Sequence, residues 1–355
     1  MKYYINGRFL TQRITGVQRY AREMTLALDQ LLQERTLDQN EYTILAPKNV
    51  IETLSCKRIQ FKACGHLTGH LWEQIELPYY AKDGYLLNFC NCAPLIKKNQ
   101  AVTIHDAAIA AFPSAYSWKF RLWYRIMYTV LGKRLNTIFT VSNFSRNELN
   151  KYFGIPNEKI HVTYNGVEHL KYIQPDDRIL EKIPNDYVLA VSSQNPTKNF
   201  KLVLKVADQL PDINFVIAGG SNSKVFNEKG KQVFKNVKYI GYVSDQELIA
   251  LYRHARVFVY PSLYEGFGIP PLEAMYSGCP VIVSNIPPLR EICGIAVLYC
   301  NPYDQGDSLR KNIMYFFDGQ SIRNKFFALG KKQTQRYQWL NTGKMIIEYF
   351  NLHGR

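Results

Sequence analysis

The chain has 355 residues, 46% hydrophobic and 14% aromatic, with seven cysteines and a net charge of +15. That is enough apolar material for two domains of ordinary size. No run of about 20 apolar residues occurs, which excludes a spanning helix. A basic surface attracts nucleic acid, anionic lipid or phosphorylated ligands. The charge is spread along the chain, and neither a nucleic-acid-binding signature nor a Walker-type Gly-Lys-Ser/Thr loop occurs. The odd cysteine count and the lack of any CxxC or Cys/His zinc pattern point to reduced thiols, as in a cytoplasm.

The first residues, Met1 to Arg8, lack the apolar core and cleavage site of a signal peptide, and Lys2 to Ile5 predicts a first strand. A loop from Gly7 to Gly16 precedes a helix over about 17–32, where Tyr20, Met24, Leu26, Ala27 and Leu31 recur at helical spacing. Gly16 at its start presents backbone amides at the carboxyl edge of a sheet, or is simply a glycine helix start. Tyr42 to Ala46 is the next strand. Leu71-Trp72-Glu73-Gln74 reads as packing. Tyr85 to Phe89 and Ala101 to Ile104 have the character of buried parallel strands. The second ends in His105-Asp106, at a strand end where such folds place chemistry, although a lone histidine there is commonly structural.

Ser117 to Leu135 predicts a helix rich in aromatic and basic residues, among them Trp118, Lys119, Arg121, Trp123 and Arg125. It reads either as an ordinary amphipathic helix with snorkelling cations or as a helix lying on an anionic membrane. Thr137 to Val141 is a strand, with Ser142 capping the helix after it. Ile160 to Tyr164 follows. The polar stretch Glu168 to Pro184 predicts the boundary between domains.

Strand-helix alternation then restarts, predicting a second parallel sheet. Its strands are Tyr187 to Val191, Phe215 to Ala218, Val237 to Ile240, Val257 to Tyr260, Val281 to Val283 and Ala296 to Tyr299. Gly219-Gly220 predicts a turn near a ligand. The segment from Tyr260 to Pro280 is the most informative. A strand leads into a glycine loop, Gly266 and Gly268, and then into a helix opened by Pro270 and Pro271. Glu265 and Glu273 flank the loop with seven residues between them. Glycines admit close backbone approach, a helix N-terminus favours phosphate, and carboxylates accept from sugar hydroxyls. The parts describe a pocket for a nucleotide sugar.

From Pro261 to Pro280 this segment resembles, residue for residue, the Glu-x7-Glu region of the retaining GT-B glycosyltransferases of family 4. Further matches run from Gly16 to Trp339: Ile14 to Tyr20, Val102 to Asp106 with Phe112-Pro113, Ile160 to Val167, Ser192 to Phe200, and Tyr239 to Val243. The resemblance implies an α/β GT-B fold. Two Rossmann-like domains, an acceptor domain at 1–170 and a donor domain at 171–337, would face across a cleft. A helix at 338–355 would cross back to the first. It implies a retaining, metal-independent hexosyl or deoxyhexosyl transfer, mannose or rhamnose favoured, in O-antigen- or capsule-type polysaccharide assembly. The donor would be a nucleotide diphosphate sugar and the acceptor a glycan or lipid-linked glycan. No cofactor, metal or nucleic acid is implied. The place is cytoplasmic or peripheral on the inner face of the cytoplasmic membrane, since lipid-linked acceptors favour membrane contact by the aromatic, basic helix. Implied catalytic residues are His105, Lys198 and Glu265. Implied donor contacts are Gly16, Lys198, Tyr242, Val243, Glu265, Gly266, Phe267, Gly268, Ile269 and Glu273. One departure stands out: the family's arginine six residues before the lysine is Ser192 here. Rival readings are a nucleotide-sugar 2-epimerase of the same fold and a catalytically silent membrane scaffold.

Overall fold

The computed structural model describes residues 1–34, 40–192, 195–219 and 234–353. They form two compact units, Met1–Gly166 with Gln338–Arg355, and Val167–Tyr337.

The first unit is built on a parallel sheet of β1 (Lys2–Asn6), β2 (Glu41–Ala46), β3 (Gln60–Ala63), β4 (Tyr85–Asn88), β5 (Gln100–Thr103), β6 (Ile138–Thr140) and β7 (Ile160–Val162). Their order is β3-β2-β1-β4-β5-β6-β7. The chain therefore runs outward from β1 on one side, then returns to add β4 on the other. Such a reversal opens a crevice beyond the carboxyl ends of the two central strands. Helix α1 (Gly16–Glu34) buries Tyr20, Met24, Ala27 and Leu31 of the expected set and Leu28 besides, whereas Leu26 lies at the edge of that face and is only half-buried. Helices α2 (Trp118–Arg134) and α3 (Asn143–Phe153) pack a second cluster with Val102, Ile138, Met127 and Leu149. The Ser142 hydroxyl accepts from the Ser145 amide at 2.9 Å, the cap expected there.

Strand β3 is absent from the sequence reading, because its four residues are all exposed and show no alternation. Tertiary structure makes it. The buried Asp29 carboxylate on α1 accepts from the amides of Lys57, Arg58 and Ile59 at 2.9, 2.7 and 2.9 Å, aiming the chain at the free edge of β2. The last helix, Trp339–His353, belongs to this unit. Trp339 meets Tyr20 edge-on at 5.7 Å, and a Cβ at Gly343 would lie 2.9 Å from Leu31 Cδ1. Only a glycine lets the two helices approach so closely.

The second unit repeats the plan with β8 (Tyr187–Ser192), β9 (Asn214–Gly219), β10 (Val237–Gly241), β11 (Val257–Tyr260), β12 (Val281–Ser284) and β13 (Leu298–Cys300), in the order β10-β9-β8-β11-β12-β13. All neighbours are parallel. Here β8 and β11 flank the reversal. The core joins Val188, Phe215, Val257 and Ile282 to Val203 and Val206 of helix α4 (Phe200–Gln209). β13 starts two residues later than predicted, because the Ala296 amide closes a turn onto the Cys293 carbonyl at 3.1 Å. All seven cysteines are free thiols, Cys90 and Cys92 included. Among the described residues no helix is long and apolar enough to cross a membrane.

Candidate functional site

In the second unit the crevice lies beyond β8 and β11. The chain leaving β8 passes Ser193 and Gln194, which lie outside the described residues, as does Gly220 after β9. It then makes a 3-10 turn, Pro196–Lys198, capped by Asn195, whose side chain accepts from the Thr197 amide at 3.0 Å. Asn199 ends the turn in the left-handed region, φ 53°. The Leu263 amide donates to the Thr197 carbonyl at 2.7 Å, tying this loop to the one after β11. Lys198 is thereby brought to Glu265. Its Nζ donates to Glu265 Oε1 at 2.6 Å and to the Tyr260 hydroxyl at 2.8 Å. The ammonium also sits 5.2 Å from the centroid of the Tyr260 ring. Burial opposes the charge on Lys198, but the Glu265 carboxylate and Tyr260 outweigh it and hold the pKa above its ordinary value. A fixed cation therefore sits at the crevice, with two of its three N–H donors engaged.

Beyond Glu265 the loop turns at Gly268, φ 101°, where a Cβ would lie 2.6 Å from Leu289 Cδ2. Helix α5 (Ile269–Tyr276) begins at once, as its prolines predict. Pro270 and Pro271 also remove two of the four amides a helix N-terminus leaves unbonded. The amides of Gly268 and Ile269 carry what donor capacity remains. Glu273 projects from α5 and is buried, its Oε1 3.8 Å from Nε2 of the buried His169. Burial and then the Glu273 charge push the neighbouring Tyr252 phenol well above its ordinary pKa. Phe267 is a core residue, edge-on to Tyr337 at 5.7 Å, so a ligand would meet its backbone rather than its ring. Tyr242 and Val243 follow the edge strand β10. Tyr242 is 73% exposed.

Gly16 and His105 lie in the first unit. Gly16 is exposed and opens α1. His105, two residues beyond β5, is buried. Its Nε2 meets the Phe89 carbonyl at 2.9 Å, which requires the proton on Nε2, and its amide donates to Asn91 Oδ1 at 2.8 Å. Burial, only partly opposed by that bond, lowers its pKa from 6.5 to about 4. The imidazole is therefore neutral near pH 7. Asp106 accepts from the Ala108 amide at 2.8 Å, just ahead of the next helical turn.

A packing role suits only part of the Leu71-Trp72-Glu73-Gln74 segment. Trp72 is buried, with Nε1 donating to the Cys64 carbonyl at 2.9 Å, but Leu71 is exposed. Glu73 is a buried carboxylate. It accepts from Asn6 Nδ2 at 2.8 Å, Arg8 Nε at 3.0 Å and His70 Nδ1 at 3.1 Å. Burial works against its ionised form, and these partners more than compensate, so its pKa falls below the usual carboxylate value. The available signal was an arginine and a glutamate inside apolar stretches, residue types rarely buried unless paired.

Residues 176–333 match the family model for glycosyl transferases group 1, and residues 86–169 match glycosyltransferase family 4. The O-antigen chain mannosyltransferase RfbU of Salmonella typhimurium is 33% identical over 260 residues, covering 71% of this chain and 69% of that protein. O-antigen chain mannosyltransferase B of Escherichia coli is 33% identical over 269 residues, covering 70% and 69%. Among solved structures, Anabaena HepE in complex with UDP and glucose superposes with a TM-score of 0.72 at 15% identity, covering 99% of each chain. That likeness concerns the fold, the expected α/β GT-B architecture. The sequence motifs and the 33% identity to RfbU carry the rest: this chain belongs to the group 1, family 4 glycosyltransferases.

Proposed function

We propose that this chain transfers a mannosyl group, with retention and without a metal, from a nucleotide diphosphate sugar to a glycan in O-antigen-type assembly. The Lys198–Glu265 pair at the β8/β11 crevice carries the reading. The lysine has one N–H left for a diphosphate oxygen, and it offsets charge as that group departs. Glu265 keeps acceptor capacity for sugar hydroxyls, and Glu273 supplies a second carboxylate for the ribose. The Gly268 and Ile269 amides and the helix dipole add attraction for phosphate. With no protein nucleophile in this set, the departing diphosphate takes the acceptor proton on the same face. Two mannosyltransferases among the relatives, and a UDP complex on the same fold, support sugar and donor class. The same relatives weigh against an epimerase or a silent scaffold.

We further infer a cytoplasmic protein that touches the inner membrane face through α2. Trp118, Leu122, Arg125 and Ile126 share one exposed face of that helix, and Lys119 and Arg121 are exposed beside them. Apolar and basic residues mixed in this way suit an anionic interface.

The test is incubation with GDP-mannose and a mannoside acceptor, with and without EDTA, followed by NMR of the product. An α-linked product formed equally in EDTA is expected. An inverted linkage or loss of activity in EDTA would refute the mechanism. Free nucleotide with epimerised sugar and no acceptor requirement would favour the epimerase.

A further inference from the structure

The first unit has a crevice of its own, between β1 and β4, and the implied site residues leave its most unusual group unused. Arg8 lies two residues past β1, and Cys92 lies four past β4. Glu73 reaches the same place from a helical segment that contains a π-turn, Trp72–Glu76, closed by the Leu77 amide on the Trp72 carbonyl. Such turns insert an extra residue, cost stability and concentrate at functional sites. The Arg8 and Glu73 side chains are 8% and 1% exposed, an ion pair taken almost wholly from water. Burying such a pair gains little stability by itself.

What the pair does is hold His70. Because Glu73 is an ionised acceptor, His70 must donate from Nδ1, which leaves Nε2 directed away from the carboxylate. The imidazole side chain is 40% exposed and stands edge-on to Trp123 and Tyr124, with centroids at 5.7 and 6.5 Å. A carboxylate that fixes the tautomer of a half-exposed histidine is the arrangement proteins use when the outer nitrogen has a task. Aromatic rings beside such a nitrogen suit a sugar, which offers hydroxyls at its rim and C–H groups on its face.

We propose that His70, held by Glu73 and Arg8 at the β1/β4 crevice, is a contact for a sugar hydroxyl of the acceptor, with Trp123 and Tyr124 forming the wall beside it. This rests on the reading of the first unit as the acceptor unit. A divalent cation is the rival occupant, since ligating atoms of His70, Glu73 and Cys92 lie within 4.8 Å of one another. Arg8 argues against it, placing a fixed positive charge on Glu73. The Cys92 thiol is also pushed up to about 12, by burial first and the Glu73 charge second, so it stays protonated.

The experiment is saturation-transfer NMR and titration of the full chain with methyl glycosides of mannose, glucose, galactose, rhamnose and N-acetylglucosamine. At least one should bind the parent, and should bind Lys198→Ala equally, which separates this subsite from the donor pocket. His70→Ala should weaken that binding about tenfold, or 1.4 kcal/mol. His70→Gln, which restores a hydrogen-bonding group, should recover part of it, and the circular dichroism of both variants should match the parent. The proposal is overturned if no glycoside binds the parent, or if binding survives His70→Ala. Loss in Lys198→Ala would assign the sugar to the donor pocket instead. Stoichiometric Zn2+ binding abolished by His70→Ala would make the cluster a metal site.

Discussion

Lys198 and Glu265, separated by 67 positions, meet at 2.6 Å because β8 and β11 are neighbours at the point where strand order reverses. Each lies a few residues past the carboxyl end of its strand. The loops are joined by the Leu263–Thr197 backbone bond, so the contact is set by the fold rather than by chance approach. Lys198→Ala or Glu265→Gln should lower turnover at least about a hundredfold, equivalent to roughly 2.7 kcal/mol of barrier. Steady-state kinetics on variants with parental circular dichroism would measure it. Rates within a few-fold of the parent would remove both residues from the mechanism.

A matching nucleotide should raise the melting temperature. At a hundredfold excess over Kd it adds about 2.7 kcal/mol to stability. A thermal-shift panel of GDP, UDP, ADP and dTDP should single out one base. The shift should shrink in Lys198→Ala, because the diphosphate loses its cation.

Stability should fall on acidification through His105. Its folded pKa of about 4 lies below the unfolded 6.5, so between those values the unfolded chain binds the extra proton. The native state keeps its full advantage above pH 6.5 and loses it progressively toward pH 4. The loss is roughly 2 kcal/mol at pH 5. Urea titrations at pH 7.5 and 5.0 would show it, and His105→Gln should remove this part of the slope.

Breaking the buried pair in the first unit should be costly. Glu73→Gln leaves the Arg8 guanidinium without its counter-charge and should destabilise by roughly 3–5 kcal/mol. Replacing both, as Arg8→Met with Glu73→Leu, should recover most of that. Equilibrium unfolding of the single and double variants would decide it. Additive losses would mean the two residues act independently.

Gly268→Ala should destabilise by about 1–3 kcal/mol, since the new Cβ meets Leu289 and the backbone is left-handed there. Nucleotide binding should weaken with it, because the turn sets the Gly268 and Ile269 amides.

The membrane reading is tested by liposome flotation. Full-length protein should float with vesicles containing phosphatidylglycerol and stay at the bottom with phosphatidylcholine alone. Trp118→Ser with Arg121→Glu should abolish flotation while leaving the urea midpoint unchanged, as all of this face is solvent-exposed.

Much of this protein is written locally. Apolar β-branched runs at β5, β11 and β12 form strands wherever a sheet can cover both faces. Pro270 and Pro271 start a helix in any context, and Ser142 caps one. The Tyr260 to Pro280 segment is contiguous, so its chemistry could be read without knowing the fold. What the chain could not disclose by itself depends on partners far away in sequence. β3 exists only because Asp29 holds the preceding turn. Phe267 is core because Tyr337 lies against it. Glu73 is a charge instead of a packing residue because Asn6 and Arg8, more than 60 positions earlier, converge on it. Local pattern reports the conformation a segment favours, while burial and pairing of a charged group are sums over neighbours that only tertiary structure supplies.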